Sequence, residues 1–194
     1  FVYGGSITDI EIASGVAGTD GGGVLTEGDL TLAMCTLTEN VAERGAGVFF
    51  DGAGGVVAGS SFVDSHAALE GGAIGGELNA LDVLAIEPAP DLSLPEFDGC
   101  TAERGGAVAL TGGTLDTTFT ITWEATATHG AVYHLTDVSW NERSSAVLVA
   151  EASGDGAWAN LQGGTTIMLG TDVINAAADR GLVFVGSGAT LSMQ

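Results

Sequence analysis

The chain has 194 residues, 45% hydrophobic, and its 25 acids face four arginines and no lysine, for a net charge of −21. That much apolar material argues for one folded unit and against a disordered chain. The charge argues against nucleic acid, whose binding rests on Lys and Arg neutralising phosphates, and against anionic membrane surfaces; no run of about 18 apolar residues is present to span a bilayer.

In chain order, short runs of β-branched and aromatic residues bounded by Gly, Asp and Ser predict strands at 29–32, 36–38, 48–50, 55–57, 61–63, 80–83, 108–110, 119–122, 132–135, 147–149, 165–168, 173–174 and 182–185. No stretch carries a sustained 3.6-residue apolar period with caps, so long helices are not expected. One motif recurs between the strands. It reads Arg44-Gly45-Ala46-Gly47-Val48, Glu70-Gly71-Gly72-Ala73-Ile74, Arg104-Gly105-Gly106-Ala107-Val108, His129-Gly130-Ala131-Val132, Gly156-Ala157-Trp158 and Arg180-Gly181-Leu182-Val183, with a weaker copy at Gly22-Gly23-Val24. Equivalent residues are about 24 to 26 apart, with one interval of 34. A fixed period of this size means stacked coils. The sequence therefore predicts an all-β, right-handed parallel β-helix over residues 1–194, a β-solenoid of about seven coils of ~25 residues, with three short strands per coil. Right-handedness is expected because parallel crossovers usually have that hand.

The long interval holds an insertion of about ten residues within 86–96, where Pro88, Pro90 and Pro95 are the only prolines of the chain. Proline cannot donate to a sheet ladder, so this segment is expected to leave the stack as a surface loop. Phe184-Val185-Gly186-Ser187 resembles Phe1-Val2-Tyr3-Gly4, so the chain is expected to start and stop at one phase of the coil, as part of a longer protein. Cys35 and Cys100 fall at different phases and are expected as buried thiols, a disulfide being the alternative. The acidic surface suits a salty medium, because salt screens repulsion between acids stacked on successive coils.

Phe62-Val63-Asp64-Ser65 before Gly71-Gly72-Ala73-Ile74 resembles the paired F-x-x-N and G-G-A-[ILV] signature of chlamydial polymorphic outer-membrane protein repeats. Leu37-Thr38-Glu39-Asn40 before Gly45-Ala46-Gly47-Val48 is similar, keeping the Asn and replacing Phe by Leu. Phe97-Asp98-Gly99-Cys100 before Gly105-Gly106-Ala107-Val108 keeps the Phe and loses the Asn. The resemblance covers Thr36 to Val132. It implies a right-handed β-helix at the cell surface or secreted, acting in adhesion.

Arg44, Arg104 and Arg180 share one corner of the repeat with His129, each arginine preceded by an acid (Glu43, Glu103, Asp179). These four are expected as structural corner positions, with a basic strip for an anionic sugar as the alternative. Arg143 falls out of phase, with Glu142 or Asp137 as its expected partner. His129, His134, Asp137 and Arg143, within 15 residues, form the best cluster for catalysis, yet no close pair of carboxylates recurs as glycoside chemistry requires. Asp20 and Asp155 lie in Asp-Gly turns that suit calcium as well as plain turn chemistry. His66, His129 and His134 lack the ligand spacing of a zinc site. Thr117-Thr118-Phe119-Thr120-Ile121-Thr122 reads as one strand presenting threonines outward. The expectation is a non-enzymatic extracellular β-solenoid serving as adhesin, stalk or filament component, without cofactor, whose partners are surface proteins, glycans or further copies of itself. A polysaccharide lyase or hydrolase is the alternative.

Overall fold

The computed structural model describes residues 1–193, and over these the chain is all β, with every strand pair parallel. The strands form four sheets that wrap one core. Sheet A has seven strands (from Val24–Thr26 to Val183–Val185), sheet B eight (from Gly5–Thr8 to Thr190–Met193), sheet C seven (from Glu11–Ala13 to Asp172–Val173) and sheet D six (from Val41–Arg44 to Ala176–Arg180). The chain passes through A, B, C and D in turn, and each strand pairs with its equivalent one coil away, so the chain makes about eight turns of a β-solenoid.

The coil thus carries four strands, not the three expected. Sheet D is the one missed. Its six strands read VAER, HAALE, CT, ATATH, AEASGD and AAADR. Short and polar side chains give no β-propensity signal, and these strands are held by backbone ladders to the coils above and below.

The recurrent motif is the corner from sheet D into sheet A. Its first glycine adopts a left-handed conformation in every coil, with φ of 66° at Gly21, 57° at Gly45, 64° at Gly71, 63° at Gly105 and Gly130, 67° at Gly156 and 66° at Gly181. Only glycine takes this conformation without a Cβ clash, which is why it recurs there. The residue after the small pair enters the core: Val48, Ile74, Val108 and Tyr133 are all fully buried. Of the F-x-x-N positions, Phe62 and Phe97 are buried and stacked with ring centroids 5.5 Å apart. Buried Asn40 joins coils by donating to the Ile12 carbonyl at 3.1 Å and accepting from the Gly15 amide at 2.9 Å.

The extra residues of the long coil are split between two turns. The first uses 78–83 where the preceding coil uses 52–54, and the second uses 88–95 where it uses 59–60. The second contains the three prolines, but it does not project freely. Ala89 is 2% exposed and packs with Ala33 and Ala58 of the preceding coils, and a side chain on Gly59 would meet the Ala89 Cβ at 2.6 Å. Cys35 and Cys100 are buried and unpaired, and burial pushes the Cys100 thiol up to about 12.

The 117–122 segment is two strands. Sheet B ends at Thr118, Phe119 turns the chain with φ 51°, and sheet C resumes at Ile121. The corner resets the alternation, so Thr117, Thr120 and Thr122 are buried rather than displayed.

Candidate functional site

Asp20, Arg44, Glu70, Arg104, His129, Asp155 and Arg180 stand in register on seven successive coils at the D–A corner. Arg44 grips Asp20 with both carboxylate oxygens, Nε to Oδ1 at 2.7 Å and Nη2 to Oδ2 at 2.9 Å, and also reaches Glu77. Arg104 lies 3.0 Å from Glu70, His129 Nδ1 lies 3.5 Å from Asp155, and Arg180 Nη2 donates to Asp155 at 2.6 Å. The hydrogen bonds it donates to Asp20 hold the Arg44 guanidinium above even its ordinary range. Two arginines also fold over the outer face of sheet A, Arg44 at 4.5 Å from the Phe49 ring centre and Arg180 at 5.2 Å from that of Phe184.

The partners of these arginines come from other coils and not from the acids that precede them. Consecutive strand residues point to opposite faces, whereas residues of equal phase stack. Asp20 and Asp155 therefore have arginine counter-ions. Among the described residues no group of three or more His, Cys, Asp or Glu gathers to hold a metal.

The four residues of the catalytic alternative do not converge. His134 lies on sheet A beside the corner, and its pKa falls to about 4 through burial first, then the charges of Arg104 and His129. Asp137 occupies the following turn with φ 56°, against Gly163. Arg143 ends a sheet B strand. Neither Glu142 nor Asp137 pairs with it. Glu142 is fully buried, accepting from the Ser145 amide at 3.1 Å and from the Thr171 hydroxyl, so the strand alternation puts the two neighbours on opposite sides of the sheet.

Arg143 instead faces a groove of about 190 Å³ on the outer side of sheet B, lined by Ala85, Glu87, Asp116, Thr118 and Asn141. Asn141 donates to Asp116 at 2.7 Å. Among the described residues, Arg143 is the one arginine without a carboxylate within 4.0 Å. Phe119 follows Thr118 directly and is 51% exposed, and Trp123 is 46% exposed. The same turn in other coils holds Asp9, Met34, Gly59, Ser144 and Gly170, all at positive φ. The sequence pattern missed this groove because its residues come from three coils and match no motif.

Fold and corner define a β-solenoid with an acidic surface. Compared with family models, curated proteins and solved structures, the chain matches none.

Proposed function

We propose that this chain is a non-enzymatic, extracellular β-solenoid that acts as an adhesin, stalk or filament component, and that it is akin to the chlamydial polymorphic outer-membrane protein repeats. The observation that carries the proposal is the uninterrupted stacking: four parallel sheets share one core, from Val24 to Met168. Seven steps at about 4.8 Å make a rod on the order of 35 Å long, stiff because every coil is bonded to its neighbours. Kinship with the repeats is supported by the buried Phe62–Phe97 stack and by Asn40 bridging coils, which give their F-x-x-N pattern a physical purpose.

The test pairs attachment with turnover. Beads coated with the protein are expected to adhere to cultured cells more than beads coated with a carrier protein of matched negative charge. Incubation with neutral and acidic polysaccharides is expected to yield no new reducing ends and no unsaturated products. Turnover that is lost in His134→Asn or Arg143→Met would establish the enzymatic alternative, and attachment no better than the control would remove the adhesin role.

A further inference from the structure

We infer that the outer face of sheet C, over its last three coils, is a docking surface for a cationic amphipathic helix. The inference gives the adhesin proposal above a class of partner and rests on it only for biological use. Three features carry it.

The first is an apolar patch on a face where strand alternation elsewhere places polar side chains. Thr122, Val147 and Val173 face the core, so the residues on either side of each point outward. In the first four coils of the sheet the two outward columns are mostly polar and end in Glu96 and Asp98. In the next three they hold Ile121, Trp123, Ala146, Leu148 and Ile174, with Asp172 the one acid. Trp123, Leu148 and Ile174 stay in the ladder, their amides donating to the carbonyls of Phe97, Thr122 and Val147 one coil earlier. Trp123 is 46% and Ile174 57% exposed, and Ile121, Ala146 and Leu148 are half-buried. Single exposed apolar residues are ordinary, but a run of them on successive coils marks an interaction surface.

The second is the border of the patch. Glu96 and Asp98 close it one coil earlier, Asp172 closes one column, and exposed Glu124 follows Trp123. Among the described residues none of these four acids has an arginine within 4.0 Å. Arg143 faces the groove of sheet B, around the corner. In a chain of net charge −21 without lysine, this border attracts a cationic partner and repels an acidic one.

The third is size and shape. Two columns over three coils span about 7 Å by about 10 Å between Cα atoms. A stable dimer buries about 800 Å² on each partner, so a second copy would have to press unpaired acids together around this small patch. An added strand has no edge to join on the face, since Ile121–Thr122 and Ala146–Val147 are paired on both sides. A helix lying along the rod fits: its turns repeat every 5.4 Å, close to the coil spacing of about 4.8 Å, so successive apolar side chains drop between Trp123, Leu148 and Ile174.

Trp123 reports binding from within the patch, while Trp140 and Trp158 are buried. The probe is a synthetic peptide of leucine and lysine, about 14 residues long, with leucines at i, i+3, i+4 and i+7. Its controls are a peptide of the same composition with leucines spread round the helix, and one with the same leucine pattern and glutamate for lysine. Titrated to about 1 mM, the amphipathic cationic peptide is expected to shift the Trp123 emission to the blue saturably and to bind at least about fivefold tighter than either control. Leu148→Ser/Ile174→Ser is expected to weaken binding about tenfold and to keep the melting transition, since both side chains point outward. Asp98→Asn/Glu124→Gln leaves the apolar patch intact and is expected to reduce the fall of affinity with NaCl. No saturable response, a control that binds equally well, or unchanged affinity and salt dependence in both folded variants would overturn the surface. Sedimentation that showed a dimer lost in Leu148→Ser/Ile174→Ser would overturn it in favour of a second copy. Bead attachment that survives in that variant would leave the adhesin proposal standing without this surface, and peptide binding without bead attachment would do the reverse.

Discussion

Arg180 and Asp155 show how unequal the two halves of one ion pair are. The Asp155 side chain is 7% exposed and that of Arg180 is 65% exposed. Removing the arginine leaves a poorly hydrated carboxylate with only His129, 3.5 Å away, beside it, whereas removing the acid returns an arginine to solvent. Arg180→Met is therefore expected to cost about 2 kcal/mol in urea unfolding. The double variant Arg180→Met/Asp155→Ala should recover part of that loss, because the stranded charge goes with its partner. A double variant no more stable than Arg180→Met would show that packing against Phe184, not charge, is what Arg180 supplies. His134 makes a pH-dependent contribution of the opposite kind. Its folded pKa of about 4 lies below the ordinary value of 6.5, so the unfolded chain takes up the proton first as pH falls. Neutral His134 favours the folded state fully above pH ~6.5, and that advantage is lost between there and about pH 4. His134→Asn, the residue that Asn160 places one coil away in register, should flatten this window. Denaturation of the two proteins at pH 7 and pH 5 should show wild type losing more stability on acidification, and equal losses would contradict the assignment.

The strands themselves divide by how they are made. Those of sheets A, B and C carry Val, Ile, Leu and Phe into the core, and that alternation is visible in a one-dimensional pattern. Sheet D is held by its backbone, and Ala-Thr-Ala-Thr-His at 125–129 has no apolar face to announce it. The corner residues Arg44, Arg104, His129 and Arg180 were legible from phase alone, because a strict period puts equal phases in one column. Their acid partners Asp20, Glu70 and Asp155 required knowing that columns, not neighbours, touch. Glu142 could not be placed without the register of its strand, since one residue of slip exchanges it with Arg143. The same logic bears on the proline-rich turn. Replacing 88–95 with Gly-Ser, the pair at Gly59-Ser60 one coil earlier, uncovers Ala33 and Ala58 but shortens a long turn. Lost burial of small side chains and the gain in loop entropy nearly offset one another, and the net cost is expected to be about 1–2 kcal/mol. The shortened protein should keep its β-sheet circular dichroism and melt in one transition. Loss of cooperative melting would mean that the turn is required for the stack.

Across the whole molecule the charge is an unfavourable term that salt can relieve. A chain of net charge −21 repeats its acids along one axis, and Asp51 and Glu77 are direct neighbours on the outer face of sheet A, where only Glu77 is answered by an arginine, Arg44. Two carboxylates about 4.8 Å apart repel by roughly 1 kcal/mol in water, and at 1 M salt the screening length of about 3 Å removes most of that. The corner ion pairs are partly covered, with the Arg44 side chain 29% and that of Asp155 7% exposed, and so lose less attraction than the open faces lose repulsion. Stability should accordingly rise with salt. Between 20 mM and 1 M NaCl the melting temperature is expected to increase by several degrees, at about 2–4 °C for each kcal/mol recovered. Chloride is the proper anion here, because sulfate strengthens apolar burial in any protein and would give the same sign for another reason. Calcium separates general screening from a specific site. Asp20 and Asp155 are engaged by arginines, so calcium chloride should raise the melting temperature no further than magnesium chloride of equal concentration. An excess effect of calcium that vanished in Asp20→Asn would place an ion at the corner in competition with Arg44, and a melting temperature that fell with NaCl would mean that the corner ion pairs outweigh the repulsion of the faces.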